Sequence, residues 1–188
     1  AKRCATIDVL SGGRLRLGVG VGWMREELES VGVDFATRGA RTDEVLAALH
    51  TLWRDEAASF SGRFFSFDGV ISRPRPLRSG GVPIHVGGHS SAAARRAGRF
   101  GAGFQPLGLA GEALTARVDE ARAAAVAAGR DPDAIELSLG GVLGAGDATD
   151  AAIEAAMAAG ADRVLLSTRD GKLDLVCEQL SAFADRWM

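Results

Sequence analysis

The chain contains one turn-like segment whose residue types are suited to holding an anion. The segment lies between a short β-rich stretch (82–86) and an alanine- and arginine-rich run (92–100), and it reads Gly87, Gly88, His89, Ser90, Ser91. A strand that ends at two glycines and continues into a serine-capped helix presents free backbone N–H groups at the positive end of the helix dipole. We therefore predict a phosphate site formed by the amides of residues 88–91 and a serine hydroxyl, the alternative being an ordinary tight turn.

A second candidate segment is a glycine-rich strand near the start of the chain. Glycines recur at alternate positions (Gly18, Gly20, Gly22) of the predicted strand 14–22, and Trp23 follows them. The alternation removes side chains from one face of the strand, so that a flat or bulky group can approach the backbone. Close packing against a helix explains the pattern equally well. The segment lacks the third glycine that a dinucleotide-binding motif has at its fixed spacing.

No catalytic acid, base or metal ligand stands out among the titratable residues. Glu26 and Glu27 closely follow the glycine-rich strand, but a solvated helix face accounts for them as well. His85 and His89 are separated by two glycines that break any helix bringing them together, and no cysteine or carboxylate cluster accompanies them. We therefore name no catalytic residue and predict no metal site.

The overall composition indicates one well-packed domain and argues against nucleic acid and membranes as partners. The chain has 188 residues, 47% hydrophobic and 24% charged, which is sufficient for one well-packed core. A net charge of -2 provides no field for nucleic acid or an anionic membrane, and no apolar run approaches the roughly 20 residues of a membrane span. The two cysteines, Cys4 and Cys177, predict packing roles in a reducing compartment, the cytoplasm.

Strands and helices alternate along the chain. Hydrophobic periodicity predicts strands over 14–22, 82–86, 101–107, 134–143 and 162–168, and helices over 1–10, 37–53, 91–100, 111–128, 149–159 and 172–187. Strict alternation with short apolar strands predicts a parallel sheet covered by helices, either doubly wound or a (β/α)8 barrel. Five units of about 35 residues extrapolate to eight in about 280, so the barrel is favoured and three further units are needed.

The same periodicity predicts which faces of these elements are buried. The first helix presents Cys4, Ile7 and Leu10 on one face, and Thr37 is the candidate N-cap of the helix that follows. The polar residues of that helix are predicted to form a solvated, salt-bridged face (Arg38, Arg41, Asp43, Glu44). The last helix is predicted to carry one buried stripe (Leu173, Val176, Leu180, Phe183, Trp187). Between 54 and 81, an aromatic hairpin is predicted to serve as local core or subunit contact (Phe60, Phe64, Phe65, Phe67).

Four segments carry a resemblance to a known family. They read IDVLSGGRLRLGVGVGW (7–23), RGARTDEVLAALHTLW (38–53), FSG…FSFDGV…RPRP (60–76) and VPIHVGGHSSAAARRAGRFGAGF (82–104). In this order and spacing, the chain resembles the C-terminal two-thirds of luciferase-like flavin or deazaflavin monooxygenases and oxidoreductases, most closely the coenzyme F420-dependent branch. The resemblance covers residues 1 to about 108, whereas the last 80 residues or so match only in strand–helix rhythm.

The resemblance implies a TIM barrel of the bacterial-luciferase type, of which residues 1–188 form a single partial domain with strands four to eight. The cofactor phosphate would then bind at the turn 87–91. The ring would be bordered by Gly20, Gly22 and Trp23, and the phosphate or side chain of the cofactor would be flanked by Gln105, Pro106 and Leu107. Two departures stand out: Ala102 replaces an acidic residue common in relatives, and Trp23 replaces the catalytic glutamate of sugar-phosphate oxidisers.

The activity implied is hydride transfer between F420 and an unidentified organic substrate. The alternatives are an FMN-dependent monooxygenase and a shortened, non-catalytic flavin-binding relative. The first segment reads as the last turns of a helix, so we expect the chain to be part of a larger barrel and inactive alone. We also expect a homo-oligomer.

Overall fold

The computed structural model describes residues 1–143, 147–168 and 171–187, and the side chains of 141–149 are outside the description. Within these ranges the strands are β1 (Leu17–Val19), β2 (Ala58–Ser61), β3 (Ser66–Val70), β4 (Ile84–Gly87), β5 (Gly103–Gln105), β6 (Glu136–Leu143) and β7 (Arg163–Thr168). The α-helices are α1 (Lys2–Leu10), α2 (Arg25–Ser30), α3 (Arg38–Arg54), α4 (Ser91–Phe100), α5 (Gly111–Ala127), α6 (Asp147–Ala158) and α7 (Leu173–Trp187). Short 3-10 turns cover Phe35–Thr37 and Pro132–Ala134. None of the described helices is long and apolar enough to cross a membrane.

Five parallel strands form one curled sheet, a half-barrel. Their order is β1-β4-β5-β6-β7, so each strand pairs with the next sheet strand along the chain. The pairing aligns one residue from each of four strands in a continuous row: Gly18, His85, Gly103 and Glu136. The remaining strands, β2 and β3, form a separate antiparallel hairpin. The predicted parallel α/β architecture and the aromatic hairpin are thus confirmed.

The hydrophobic core lies between the convex face of the sheet and the helices. Ile84, Val86 and Phe104 pack with Leu46 and Trp53 of α3. A second cluster joins the later strands to α5 and α6 (Leu114, Leu137, Leu139, Ala156). Because strand residues alternate between faces, the residues between these apolar ones face the concave side of the half-barrel.

Helices α4 and α5 pack at backbone distance. A Cβ built at Gly98 of α4 would lie 2.8 Å from the backbone nitrogen of Ala125 in α5 and 2.7 Å from Ala124 Cβ. No side chain fits in that space, so glycine allows the two helices their close approach. Arg130, just after α5, donates hydrogen bonds to the carbonyls of Gly98 and Gly101 (both 2.5 Å) and thereby binds the end of α4.

The buried face of α1 differs from the predicted one. Ala5 and Asp8 are fully buried, whereas Ile7 is 50% and Leu10 82% exposed. The reason is a tertiary hydrogen bond: Asp8 Oδ2 accepts one from the backbone N–H of Leu77 at 2.9 Å. A carboxylate that binds a loop amide therefore occupies the position that periodicity assigned to an apolar side chain.

The predicted buried stripe of α7 is wrong for this structure. Leu173 is 75%, Leu180 52% and Trp187 38% exposed, and none of the described residues of this helix is fully buried. At its C-terminal end the helix contacts α6 through Asp150. The Trp187 indole donates to Asp150 Oδ1 at 2.8 Å, and Arg186 forms an ion pair with Oδ2 at 2.6 Å.

The polar face of α3 forms salt bridges, as predicted, but it is not simply solvated, because its carboxylates make specific tertiary contacts. Asp43 pairs with Arg96 of α4, a side chain that is 6% exposed. Glu44 accepts hydrogen bonds from the backbone amides of three residues in the hairpin turn (Arg63, Phe64, Phe65). Thr37 does precede the helix, but its side chain makes no capping hydrogen bond.

Candidate cofactor-binding site

The turn after β4 has the predicted strand–turn–helix form. Gly88 has a φ of +132°, a conformation that favours glycine, and α4 begins three residues later. Ser90 is the N-cap, and its Oγ accepts a hydrogen bond from the backbone N–H of Ala93 at 3.2 Å. The serine-capped helix expected from the sequence is therefore confirmed.

One of the four predicted amide donors is already in use. The N–H of Gly88 donates to the carbonyl of Gln105 at 3.1 Å, so this amide is not free for a ligand. The amides of His89, Ser90 and Ser91 have no acceptor among the residues that the structure describes. The Ser90 hydroxyl is engaged in capping, which leaves three backbone donors at the positive end of α4.

A cation from α5 reaches this turn. The Arg117 guanidinium contacts the Oγ of Ser91 and pairs with Glu120 Oε1 at 3.1 Å, and Ser91 Oγ donates to the same oxygen at 3.1 Å. Sequence reasoning missed Arg117 because it lies 26 residues beyond Ser91. The available signal was its helical spacing from Leu114 and Ala121, two buried residues on the face of α5 that packs inward.

The other predicted residues lie at the C-terminal edge of the neighbouring strands. Gly87 pairs with Gln105, and extending the register of Val19 with Val86 by one residue places Gly20 beside Gly87. A Cβ at Gly20 would meet nothing within 4 Å, so the space in front of this edge is open. Of the residues after Gln105, Pro106 is buried and Leu107 is 55% exposed.

Trp23 and its neighbours are more loosely placed. The Trp23 side chain is 80% exposed, so little of the described chain holds its ring. Gly22 has a φ of +80° and lies against the Leu28 side chain. Glu26 and Glu27 are exposed on α2, as the solvated alternative predicted.

An ionic cluster that sequence reasoning missed lies on the concave face of the sheet. Glu136 pairs with Arg16 at 3.2 Å, with Arg163 at 3.4 Å and with His85 Nε2 at 3.6 Å. The His85 ring occupies space left by Gly103, where a Cβ would lie 2.5 Å from His85 Cε1. The four side chains of the cluster (Arg16, His85, Glu136, Arg163) come from four segments, and only the strand register brings them together.

The surroundings of this cluster lower the pKa values of both His85 and Glu136. Burial lowers the pKa of His85, and the charges of Arg16 and Arg163 lower it further, against the opposing effect of Glu136. Burial alone would raise the pKa of Glu136, but the hydrogen bonds and charges of the two arginines outweigh it, and that pKa is lowered. Glu136 is therefore a carboxylate and His85 a neutral imidazole near pH 7.

Comparison with known proteins identifies the fold and the family. The family model for luciferase-like monooxygenases matches residues 1–182, and the chain belongs to that family. The structure is similar to the monooxygenase RslO1 from Streptomyces bottropensis, with a TM-score of 0.77, 21% identity and coverage of 99% of this chain and 71% of that one. It is also similar to an F420-dependent secondary alcohol dehydrogenase in complex with an F420-acetone adduct, with a TM-score of 0.80, 18% identity and coverage of 98% and 72%.

Among curated proteins, one similar relative is the FMNH2-dependent dimethylsulfone monooxygenase of Pseudomonas putida. The identity is 35% over 132 residues, which are 69% of this chain and 36% of the relative. The chain thus matches about a third of the length of this curated relative. Members of the family are oxidoreductases and monooxygenases, and the relatives include both FMN- and F420-dependent enzymes.

Proposed function

We propose that the protein is an oxidoreductase that transfers a hydride between coenzyme F420 and an organic substrate. One observation carries the proposal: three backbone amides without acceptors stand at the start of α4, directly beside a strand edge without side chains. The first feature suits a phosphate and the second a planar ring, and the two are joined at Gly87 and Gly88.

The residues present fit a phosphorylated flavin or deazaflavin. The amides of His89, Ser90 and Ser91, with Arg117 behind them, would hold the phosphate, while Gly20, Gly22 and Trp23 would border the ring. Gln105, Pro106 and Leu107 would flank the phosphate or side chain of the cofactor. When bound, the cofactor supplies the hydride chemistry, and the protein contributes binding, orientation and exclusion of water.

The preference for F420 over FMN comes from the resemblance of segments 7–23 and 82–104 to the F420-dependent branch. The alternative is an FMN-dependent monooxygenase, which the dimethylsulfone monooxygenase relative favours. A non-catalytic flavin-binding role is a third possibility for a half-barrel. Substrate turnover by the protein would distinguish the two enzymes from the binding protein.

We further propose that the half-barrel corresponds to strands four to eight of a bacterial-luciferase-type (β/α)8 barrel, with residues 1–188 as one partial domain. In the described chain, β1 and β7 each have one neighbouring strand, so both edges of the sheet are open. The exposed apolar side chains of α7 also lack a covering helix. Three more βα units would supply strand partners for β1 and β7 and a cover for the apolar side chains of α7. We propose that catalysis requires these units. A homo-oligomeric assembly is part of the same proposal.

The test is a fluorescence titration of the protein with F420 and with FMN, together with two variants at one position. Gly88→Asp places a carboxylate beside the proposed phosphate, whereas Gly88→Asn has nearly the same shape and the same backbone strain without the charge. We expect F420 to bind more tightly than FMN, and Gly88→Asp to bind at least tenfold more weakly than Gly88→Asn. Equal affinities of the two variants would contradict the phosphate site, and tighter FMN binding would favour the monooxygenase.

A further inference from the structure

The concave face of the half-barrel carries polar side chains at its N-terminal end. Leu137 and Leu139 pack against the helices on the convex side, so Glu136 and Ser138 between them face the concave side. His85, between the core residues Ile84 and Val86, faces the same way. We call the four basic or hydroxyl-bearing residues here the floor cluster (Arg16, His85, Ser138, Arg163).

The floor cluster has more positive charge than its carboxylate neutralises. Arg16 and Arg163 share the single carboxylate of Glu136, and no other carboxylate of the described residues lies within 4.0 Å of either guanidinium. With His85 neutral, the group carries a net charge of about +1. The side chains of Arg16 and Arg163 are 36% and 39% exposed, so an anion from solution can reach both guanidiniums.

Several buried polar atoms of the floor cluster also lack hydrogen-bond partners. His85 is 8% exposed, and its Nε2 is 3.6 Å from Glu136, too far for a hydrogen bond. The Oγ of Ser138, which is 1% exposed, and the Nε of Arg163 are buried without partners. Ser138 and Arg163 are direct register partners on β6 and β7. Buried polar atoms in folded proteins are usually hydrogen-bonded, so three such atoms at one place can be satisfied together by ordered water or by a ligand with acceptor oxygens.

The position of the floor cluster relates it to the candidate cofactor site. His85 precedes Gly87 by two residues on β4, which places it roughly 6–7 Å nearer the N-terminal end of the strand on the same face. Beside them on the adjacent strand, Gly18 and Gly20 present no side chains. A small molecule that enters in front of the glycine-lined edge would therefore end against the floor cluster.

We propose that the floor cluster is an anion subsite, which binds the carboxylate or sulfonate group of a small organic substrate. Arg16 and Arg163 pair with the acid group, and the Ser138 hydroxyl and the Nε2–H tautomer of His85 donate hydrogen bonds to it. Glu136 stays as the counter-ion that keeps both guanidiniums in position. The assignment of this anion as substrate rests on the proposed function, but anion binding itself does not.

The test uses histidine side chains as local reporters in NMR spectra of the protein labelled at histidine Cε1, without cofactor. The chain has 3 histidines, so the resonances can be assigned by substitution. Methanesulfonate and acetate are the probes, and dimethyl sulfone and acetamide are neutral controls of similar size. We expect the His85 resonance to shift saturably with the anions and not with the neutral molecules. A saturable response of His89 alone would place anion binding at the turn 87–91 and overturn the proposal.

Variants separate the subsite from general charge effects. We expect Arg163→Gln to weaken methanesulfonate binding at least fivefold, and Arg95→Gln, an exposed arginine on α4, to leave it unchanged. Glu136→Gln should strengthen binding, because it removes the carboxylate that competes for the arginines. If Arg163→Gln melts below the assay temperature, Arg16→Gln takes its place. Unchanged methanesulfonate affinity in the arginine variant contradicts the subsite. If the unsubstituted protein binds neither F420 nor FMN but its His85 resonance still responds to the anions, only the proposed function is contradicted.

Discussion

Glu44 and Gly62 lie so close that a Cβ on Gly62 would overlap the Glu44 carboxylate. Glu44 uses that carboxylate to accept hydrogen bonds from the amides of Arg63, Phe64 and Phe65, at 3.0, 2.7 and 2.6 Å. The absence of a side chain at position 62 is therefore what allows α3 to bind the turn of the β2–β3 hairpin.

We predict that Gly62→Ala lowers the free energy of unfolding by about 1–2 kcal/mol, because the carboxylate must leave three amide partners, two of them partly buried. Glu44→Gln should cost a similar amount, and the two losses should not add, since both break the same contact. Urea denaturation of the single and double variants measures this. Gly80→Ala is the matched control, because its Cβ would meet nothing within 4 Å. Additive losses would show that the contact does not couple the two residues.

The contact between Arg117 and Ser91 predicts a selective effect on phosphorylated ligands. We expect Arg117→Gln to weaken binding of FMN and F420 about tenfold, the usual effect of losing one charge-assisted hydrogen bond. Binding of riboflavin, which has no phosphate, should not change. Titration of both flavins against Arg117→Gln and the exposed-site control Arg122→Gln makes the comparison. An equal loss for riboflavin and FMN would show that Arg117 only supports the fold.

Because His85 packs against Gly103, the stability effect of a larger residue at position 103 should depend on the size of the side chain at position 85. Gly103→Ala should destabilise the protein by about 1–3 kcal/mol, because the added methyl group overlaps a buried ring. The double variant of Gly103→Ala with His85→Ser should recover part of the lost stability, because the shorter serine leaves room for the methyl group. Thermal melts of these variants, with Gly140→Ala as a strand glycine that has open space, test the coupling. A loss no larger than that of Gly140→Ala would contradict it.

The lowered pKa of His50 predicts that the protein loses stability in acid. Burial, together with the charges of Arg54 and Arg130, lowers the pKa of His50 from 6.5 to about 4. The unfolded chain therefore binds the proton first, and stability is lost as pH falls from about 6.5 to about 4. We expect about 1–2 kcal/mol from this group after solvent screening. Urea denaturation at pH 7 and pH 4.5 should show a smaller pH effect in His50→Leu than in the unsubstituted protein, and equal effects would refute the assignment.

The open sheet edges predict association of the isolated 188-residue chain. Strands β1 and β7 each leave one row of backbone groups unpaired in the described chain, and such edges recruit other strands. We expect size-exclusion chromatography with light scattering to show oligomers associated through these edges. A compact monomer with a sharp transition and bound cofactor would show that the half-barrel is self-sufficient.

Local patterns predicted the elements that carry the candidate site. The β-rich segment before Gly87 and the serine before the alanine-rich run were sufficient to place β4, the Ser90 cap and α4. These features depend on neighbouring residues, so a single sequence reveals them. The strict alternation of strands and helices likewise gave the parallel sheet.

Features that depend on register or tertiary contact were not predictable in this way. The pairing of His85 with Gly103 depends on how two strands align, and the reach of Arg117 to Ser91 depends on how α4 packs on α5. The buried face of α1 was predicted from Cys4, Ile7 and Leu10, and the burial of Asp8 was missed because its partner is a loop amide 69 residues away. The apolar stripe of α7 was assigned to the core because periodicity describes a face without saying what covers it.

The backbone contact at Gly98 has a consequence for ligand selection. Because α4 and α5 meet there without intervening side chains, the two helices behave as one rigid piece. The distance between the amides at the start of α4 and the Cα of Arg117 on α5 is then fixed by helix packing. The fixed helix pair thus limits where a phosphate can bind. A ligand whose phosphate lies nearer to or farther from the amides requires a side chain of different length at position 117.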